Sequence, residues 1–366
     1  MIAASEKDAN LYYATKFLAP DPFIYLEIKR KKYLLMSDLE LDRAKSQARV
    51  DEVLSVSSLM REAAKKKARP TSIDLIDFLL GEHRVKEILV PGNFSFVYGE
   101  LFRKKGYRLT TKPEPFFEER VFKTDEEIAK ITETQRATER AVAQGIEAIR
   151  RARVLNGKLY SNGKLLTSEA VKKIINVKLM EFDCIAEHTI VACGKDAVDP
   201  HNQGSGPLLA NESIVLDVFP RSAKTGYFAD MTRTVVKGKA KPKLKKMYEL
   251  VREGQEIAFE RLKDGVDGSV IHNRIMSHFE KEGFRTGILE GRMQGFFHGT
   301  GHGVGLEIHE PPRVSAGRDT LRARQVVTVE PGLYYLDAGG VRIEDMVVVT
   351  KTGNKNLTRF PKVLEL

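Results

Sequence analysis

The chain has 366 residues, 42% of them hydrophobic and 30% charged, which allows two or three domains at roughly 150 residues each and excludes disordered, collagen-like and disulfide-scaffold classes. The formal charge of +10 raises the question of acidic partners. However, the basic clusters Lys65, Lys66, Lys67 with Arg69, and Lys237, Lys239, Lys241, Lys243, Lys245 with Lys246, have no interleaved aromatic platform and read as solvated faces. No apolar run approaches the roughly 18 residues of a membrane span, the first thirty residues do not resemble a signal peptide, and the two cysteines, Cys184 and Cys193, form no CxxC motif, so a cytoplasmic protein is expected.

In chain order, the first hundred residues alternate β-rich runs (PFIYLEI, KKYLLMS, EILVPG, SFVYGELF) with helical stretches at Ser57 to Lys67 and Ile73 to Gly81, a compact α/β unit. Thr110 to Phe122, with two prolines and several charges, reads as a connection, which predicts domains at 1–120 and 121–366. Thr124 with Glu127 three positions later forms a capping box that opens a long helix through Ile128, Ile131, Ala137, Ala141, Ile146 and Ile149. Four predicted strands then carry acids in apolar settings: 214–219 (IVLDVF), 227–236 (YFADMTRTVV), 325–335 (QVVTVEPGLYY) and 340–349 (GVRIEDMVVV). Helices are expected at Leu244 to Leu262 and Ser269 to Glu282. The layout is α+β, with a mostly antiparallel sheet and flanking helices.

Strand alternation groups Asp217 with Val215 and Phe219, Asp230 with Phe228 and Thr232, Glu330 with Val326 and Thr328, and Glu344 with Arg342 and Met346. An inward carboxylate costs several kcal/mol unless paired or bound to metal. Arg233 and Arg342 are able to neutralise two of the four as ordinary salt bridges. The glycine-rich run FHGTGHGVGLEIHE adds three imidazoles, His298, His302 and His309. One histidine with four carboxylates suits a pair of divalent cations that bind hydroxide between them and polarise a carbonyl, the chemistry of amide hydrolysis. Oxygen-rich ligation favours Mn²⁺, with Co²⁺, Fe²⁺ and Zn²⁺ as alternatives.

The runs LDVFPRSAKTGYFADMTRT, HGTGHGVGLEIHEPP, VEPG and GVRIED, in that order, resemble the pita-bread metallopeptidases, which include methionine aminopeptidase, aminopeptidase P and prolidase. The motifs span Ile190 to Met346. The residues up to about 120 resemble the additional α/β domain of the proline-specific members and creatinase. The resemblance implies a pita-bread fold for 121–366 and five metal ligands at Asp217, Asp230, His302, Glu330 and Glu344, with Asp230 and Glu344 bridging and Glu330 assisting proton transfer. It implies substrate contacts at His201, His298, His309 and Arg342, with His298 and His309 also stabilising the tetrahedral intermediate and Arg342 also the partner that orients the acids.

The expected activity is hydrolysis of Xaa-Pro bonds, as a prolidase on dipeptides or an aminopeptidase P on longer peptides. A homodimer is expected, with no membrane or nucleic-acid partner. A creatinase-like amidinohydrolase, which works without metal, and a non-catalytic relative that binds nucleic acid or protein are the alternatives, and five intact ligand positions argue against both. Where the family reads Asp-x-Gly at the first ligand, this chain has Asp217-Val218-Phe219. Its connection to Asp230 is about two residues longer, so the hairpin and the pocket beside it are expected to differ.

Overall fold

The computed structural model describes residues 1–65, 67 and 69–366, and divides into two compact units, Met1–Arg120 and Val121–Leu366. In the first unit, Ile2–Ala3, Phe23–Ile28, Lys31–Met36 and Glu52–Ser55 form a four-stranded sheet, antiparallel except for the last pairing. The hairpin turns through Lys29 and Arg30, both at positive φ (52° and 69°), as a two-residue turn matched to strand twist requires. Alternation sends Ile24, Ile28, Tyr33 and Leu35 to one face and Phe23, Tyr25, Leu34 and Met36 to the other, and each face is covered by its own core.

Glu87–Pro91 and Arg108–Lys112 pair in parallel, and the connection between them contains a helix, Phe96–Lys104. The run SFVYGELF is therefore helical where its β-prone residues suggested a strand. Phe102 is buried and touches the Phe94 ring, Tyr98 lies near the same ring, and Phe96 and Val97 are exposed, a helical and not an alternating pattern. The stretch read as a connection starts inside a strand, because Thr110 to Lys112 complete Arg108–Lys112. The helix predicted from Ser57 is Val56–Ala64; its proposed continuation through Lys66 and the Lys66 part of the basic cluster lie outside the described residues.

The second unit opens with the helix Asp125–Arg151, whose capping box is present: Glu127 N donates to Thr124 Oγ1 and Thr124 N to Glu127 Oε2 (3.2 and 2.9 Å). The helix Ser168–Met180 packs on it so closely that a Cβ on Gly145 would stand 2.8 Å from Ile175 Cγ1. The strands of this unit pair antiparallel. Ile190–Cys193, Ile214–Val218 and Met231–Val235 form one sheet, and Glu310–Val314, Gly301–Gly303, Val326–Val329, Asp345–Val349 and Asn354–Asn356 another. Gly332–Tyr335 and Gly339–Arg342 make a separate pair. Helices Pro242–Arg261 and Gly268–Lys281 bury Leu244, Met247, Val251 and Ile275 in one core with Val327, Val329 and Val347.

All four predicted acid-bearing strands are shorter or divided, and in three of them the difference falls at the acid. Asp230 precedes Met231–Val235, Glu330 follows Val326–Val329, and Glu344 sits between Gly339–Arg342 and Asp345–Val349. Glu330 N donates to Thr300 O (2.8 Å) and Glu344 N to Thr232 O (3.0 Å), so these backbone groups leave their own ladders to join neighbouring segments. Pro331 lacks the N–H that would continue the strand. Of the four, only Asp217 lies within a strand, opposite Ile190 and Thr232.

Candidate active site

One cavity of about 670 Å³ in the second unit is lined by all nine residues expected as metal ligands or substrate contacts: His201, Asp217, Asp230, His298, His302, His309, Glu330, Arg342 and Glu344. Asp217, Asp230 and Glu344 are buried, and each has one carboxylate oxygen (Oδ1, Oδ1 and Oε1) that meets no hydrogen-bond donor. Burial, followed by the neighbouring Glu344, Asp217 and Glu330, holds Asp230 far above the usual carboxylate range. Glu344 is raised in the same way, by burial and then by Glu330 and Asp217, although Thr232 Oγ1 donates to its Oε2 (2.7 Å). Burial pushes Glu330 up to about 7, while Arg342 draws it down, and Thr328 Oγ1 donates to its Oε1 (3.2 Å).

His302 projects from Gly301–Gly303 into these acids. Its Nδ1 lies 3.1 Å from Gly303 O; a carbonyl only accepts, so Nδ1 carries the proton and Nε2 presents a lone pair. That lone pair faces Glu330 Oε1 at 3.4 Å and Asp230 Oδ2 at 3.7 Å. Burial and His309 push the imidazole down to about 3, so it is neutral. Donor atoms of Asp230, His302 and Glu344 lie within 4.8 Å of one another, the arrangement a cation requires. Acceptors facing acceptors in a buried site, with three oxygens lacking donors, form a donor set that fits hard or borderline divalent ions.

His298 is engaged differently. Its Nδ1 lies 2.8 Å from Gly299 O, and its Nε2 is 2.9 Å from the Tyr334 hydroxyl, so both ring nitrogens are occupied. Burial and Arg342 push it down to about 3. Arg342, itself buried, donates to Asp217 Oδ2 (2.6 Å) and Tyr334 Oη (2.8 Å), joining the first acid to His298 through one hydrogen-bonded chain. Arg233 is absorbed elsewhere: it pairs with Asp345 (2.8 Å) and donates to the Glu344 carbonyl (2.7 Å). His201 and His309 are exposed on the cavity wall, and the His309 ring stands edge-on to His302 at 4.4 Å between centroids.

Sequence reasoning missed Tyr334, Arg313 and Phe297. Arg313, exposed on the cavity wall, is paired in register with His302. The Phe297 ring packs at a tilt against Tyr334, with 5.4 Å between centroids. The available signal was adjacency: Phe297 precedes His298, Arg313 closes the run HEPPR, and Tyr334 follows VEPG.

Residues 129–351 match metallopeptidase family M24. The Xaa-Pro dipeptidase of Pyrococcus furiosus is 30% identical over 325 residues, covering 86% of this chain and 86% of that protein. The Xaa-Pro dipeptidase of Pyrococcus horikoshii is 33% identical over 247 residues, 67% of this chain and 64% of that protein, slightly under two thirds of its length. Among solved structures, the prolidase from Pyrococcus furiosus superposes with a TM-score of 0.79 at 26% identity, over 97% of this chain and 95% of that one. The X-Pro aminopeptidase from Thermotoga maritima superposes at 0.83 and 24% identity, over 100% and 96%, a likeness of fold. The fold is the pita-bread fold expected from the motifs, and the chain belongs to metallopeptidase family M24.

Proposed function

We propose that this protein is a metal-dependent exopeptidase that hydrolyses Xaa-Pro bonds. The observation that carries the reading is the set of buried carboxylates around a neutral histidine whose lone pair faces them. The names of the relatives support the proline specificity. Asp217, Asp230, His302, Glu330 and Glu344 would hold two divalent ions, with Asp230 and Glu344 shared between them. Oxygen-rich donors favour Mn²⁺ over softer ions. Bound there, the ions would acidify a water molecule and polarise the scissile carbonyl.

The chain's own groups supply the rest. Glu330, one oxygen of which is held by Thr328, takes a proton from the attacking water and returns it to the proline nitrogen as the bond breaks. Arg342 balances Asp217 and, through Tyr334, fixes His298. His201 and His309 line the path of the substrate. Proline's tertiary amide has no N–H and its ring fixes the backbone, so its recognition rests on shape. Arg313 offers a cation to the carboxylate of a dipeptide, which favours dipeptides over longer chains.

Residues 1–120 are proposed as the additional domain of the proline-specific members. A homodimer is proposed on the likeness to the proline-specific members, and two unpaired cysteines support a reducing, cytoplasmic location. The test is a panel of Gly-Pro, Ala-Pro, Leu-Pro, Gly-Pro-Gly and Gly-Ala, assayed after chelation and after adding Mn²⁺. Metal-dependent cleavage of the Xaa-Pro substrates, with Gly-Ala slower by at least about tenfold, supports the proposal. No cleavage with any divalent ion, or equal cleavage of Gly-Ala, would sink it.

A further inference from the structure

We infer that Phe219 is a specificity-determining residue that limits the size of the side chain preceding proline. This inference rests on the Xaa-Pro peptidase reading above. Phe219 follows the strand Ile214–Val218 and precedes Pro220. A residue before proline is held in extended backbone, so strand alternation continues one step past Val218 and puts Phe219 on the same face as Asp217. The neighbouring strand Ile190–Cys193 pairs Ile190 with Asp217, and extending that antiparallel register sets His188 opposite Phe219. All four residues line the cavity, so this sheet edge supplies a continuous wall beside the first acid.

Phe219 is the large apolar group of that wall that reaches the open space: it is half-buried, whereas Ile190 is 4% exposed. The segment beyond it is pinned. Ala229 N donates to Pro220 O (3.0 Å), Arg221 bridges Phe228, and Phe228 N donates to Gly305 O (2.8 Å). The longer connection between Asp217 and Asp230 therefore folds back on itself and leaves Phe219 little room to withdraw. An exposed cationic group of the cavity, Arg313, comes from the other sheet, on the strand Glu310–Val314, whereas Arg342 is buried against Asp217. A dipeptide with its carboxylate at Arg313 and its scissile carbonyl at the acids directs its first residue toward Phe219. Glycine and alanine fit there, while leucine and phenylalanine meet the ring.

The experiment compares kcat/KM for Gly-Pro, Ala-Pro, Leu-Pro and Phe-Pro in the Mn²⁺-loaded wild type, Phe219→Ala and Phe219→Leu, with bound metal quantified in each. The wild type is expected to favour Gly-Pro and Ala-Pro, and Phe219→Ala to raise the Phe-Pro to Gly-Pro ratio by about tenfold or more, the scale of a few methylenes in an apolar pocket. Phe219→Leu should fall between them, and metal content should stay unchanged. If wild type cleaves these dipeptides and neither variant moves the ratio beyond about twofold, this inference alone is overturned. If wild type cleaves no Xaa-Pro dipeptide, the underlying reading fails with it.

Discussion

The phenolic oxygen of Tyr334 lies 2.9 Å from Nε2 of His298, and the same oxygen accepts from Arg342, which also holds Asp217. One hydroxyl thus couples a cavity histidine to the charge balance of the first acid. Because Gly299 O accepts the hydrogen bond from Nδ1–H, Nε2 of His298 is an acceptor and the Tyr334 O–H is its donor. Tyr334→Phe removes that donor and leaves Nε2 and an Arg342 N–H without their partner. Turnover of Gly-Pro should drop about 10- to 100-fold, the usual cost of losing an outer hydrogen bond at a metal site, with the fold retained by circular dichroism. Unchanged kcat and KM would mean that the chain of contacts does not position His298.

His302 and His298 differ in what their free nitrogen sees. The Nε2 of His302 faces Glu330 and Asp230, whereas that of His298 is already bonded to Tyr334. His302→Ala should therefore weaken metal binding by at least about 100-fold, and His298→Ala should leave metal content near wild type while lowering activity. Inductively coupled plasma analysis of the dialysed proteins distinguishes the two. Equal loss of metal in both variants would show that the wrong imidazole was assigned.

The acids and imidazoles were legible as a group because each breaks the apolar texture of its segment, and burying several carboxylates demands a common explanation. Their strand positions were legible for Asp217 alone. Alternation applied to 340–349 assumes an unbroken ladder, whereas Ile343 and Glu344 leave the pairing so that Glu344 N can bond Thr232 O. Arg233 could equally have paired with any nearby acid. Its choice of Asp345 depends on the register that sets it beside the Glu344 carbonyl, a relationship across more than a hundred residues. Phe96–Lys104 was misread because its aromatic residues have strand propensity, and which of them is buried is decided by the sheet beneath.

The Lys123–Glu310 pair is almost fully dry, with side chains 2% and 0% exposed, and Glu310 directly follows His309. The Glu310 carboxylate also occupies the space a side chain on residue 305 would need, 2.7 Å from a Cβ built on Gly305. Lys123→Met removes the cation paired with this buried carboxylate and should destabilise the protein by about 3–5 kcal/mol. Adding Glu310→Gln should recover part of that loss, because the second change removes the buried charge that Lys123 balanced. Urea denaturation of the single and double variants measures both. A double variant less stable than the sum of the two single effects would contradict a direct pairing.

Metal-free protein should respond to pH in a direction set by the acids. Glu330 is pushed up to about 7, above the ordinary glutamate value of about 4.3, so the folded protein keeps a proton that the unfolded chain releases between those two pH values. With more protons bound in the folded state, stability contributed by Glu330 is full at low pH and is lost as pH rises through about 7. His298 and His302, pushed down to about 3 by burial, act in the opposite sense because the unfolded chain protonates first. The comparison of wild type with Glu330→Gln cancels that shared background. In chelated samples, the wild-type melting temperature should fall relative to that of Glu330→Gln between pH 5 and pH 7.5, on the order of a few degrees. Addition of Mn²⁺ requires the ionised acids, so it should release more protons per ion bound at pH 6 than at pH 8 and restore the wild type preferentially. Parallel melting curves with and without Glu330, or metal uptake with no proton release at pH 6, would mean that the acids are already ionised in the metal-free fold.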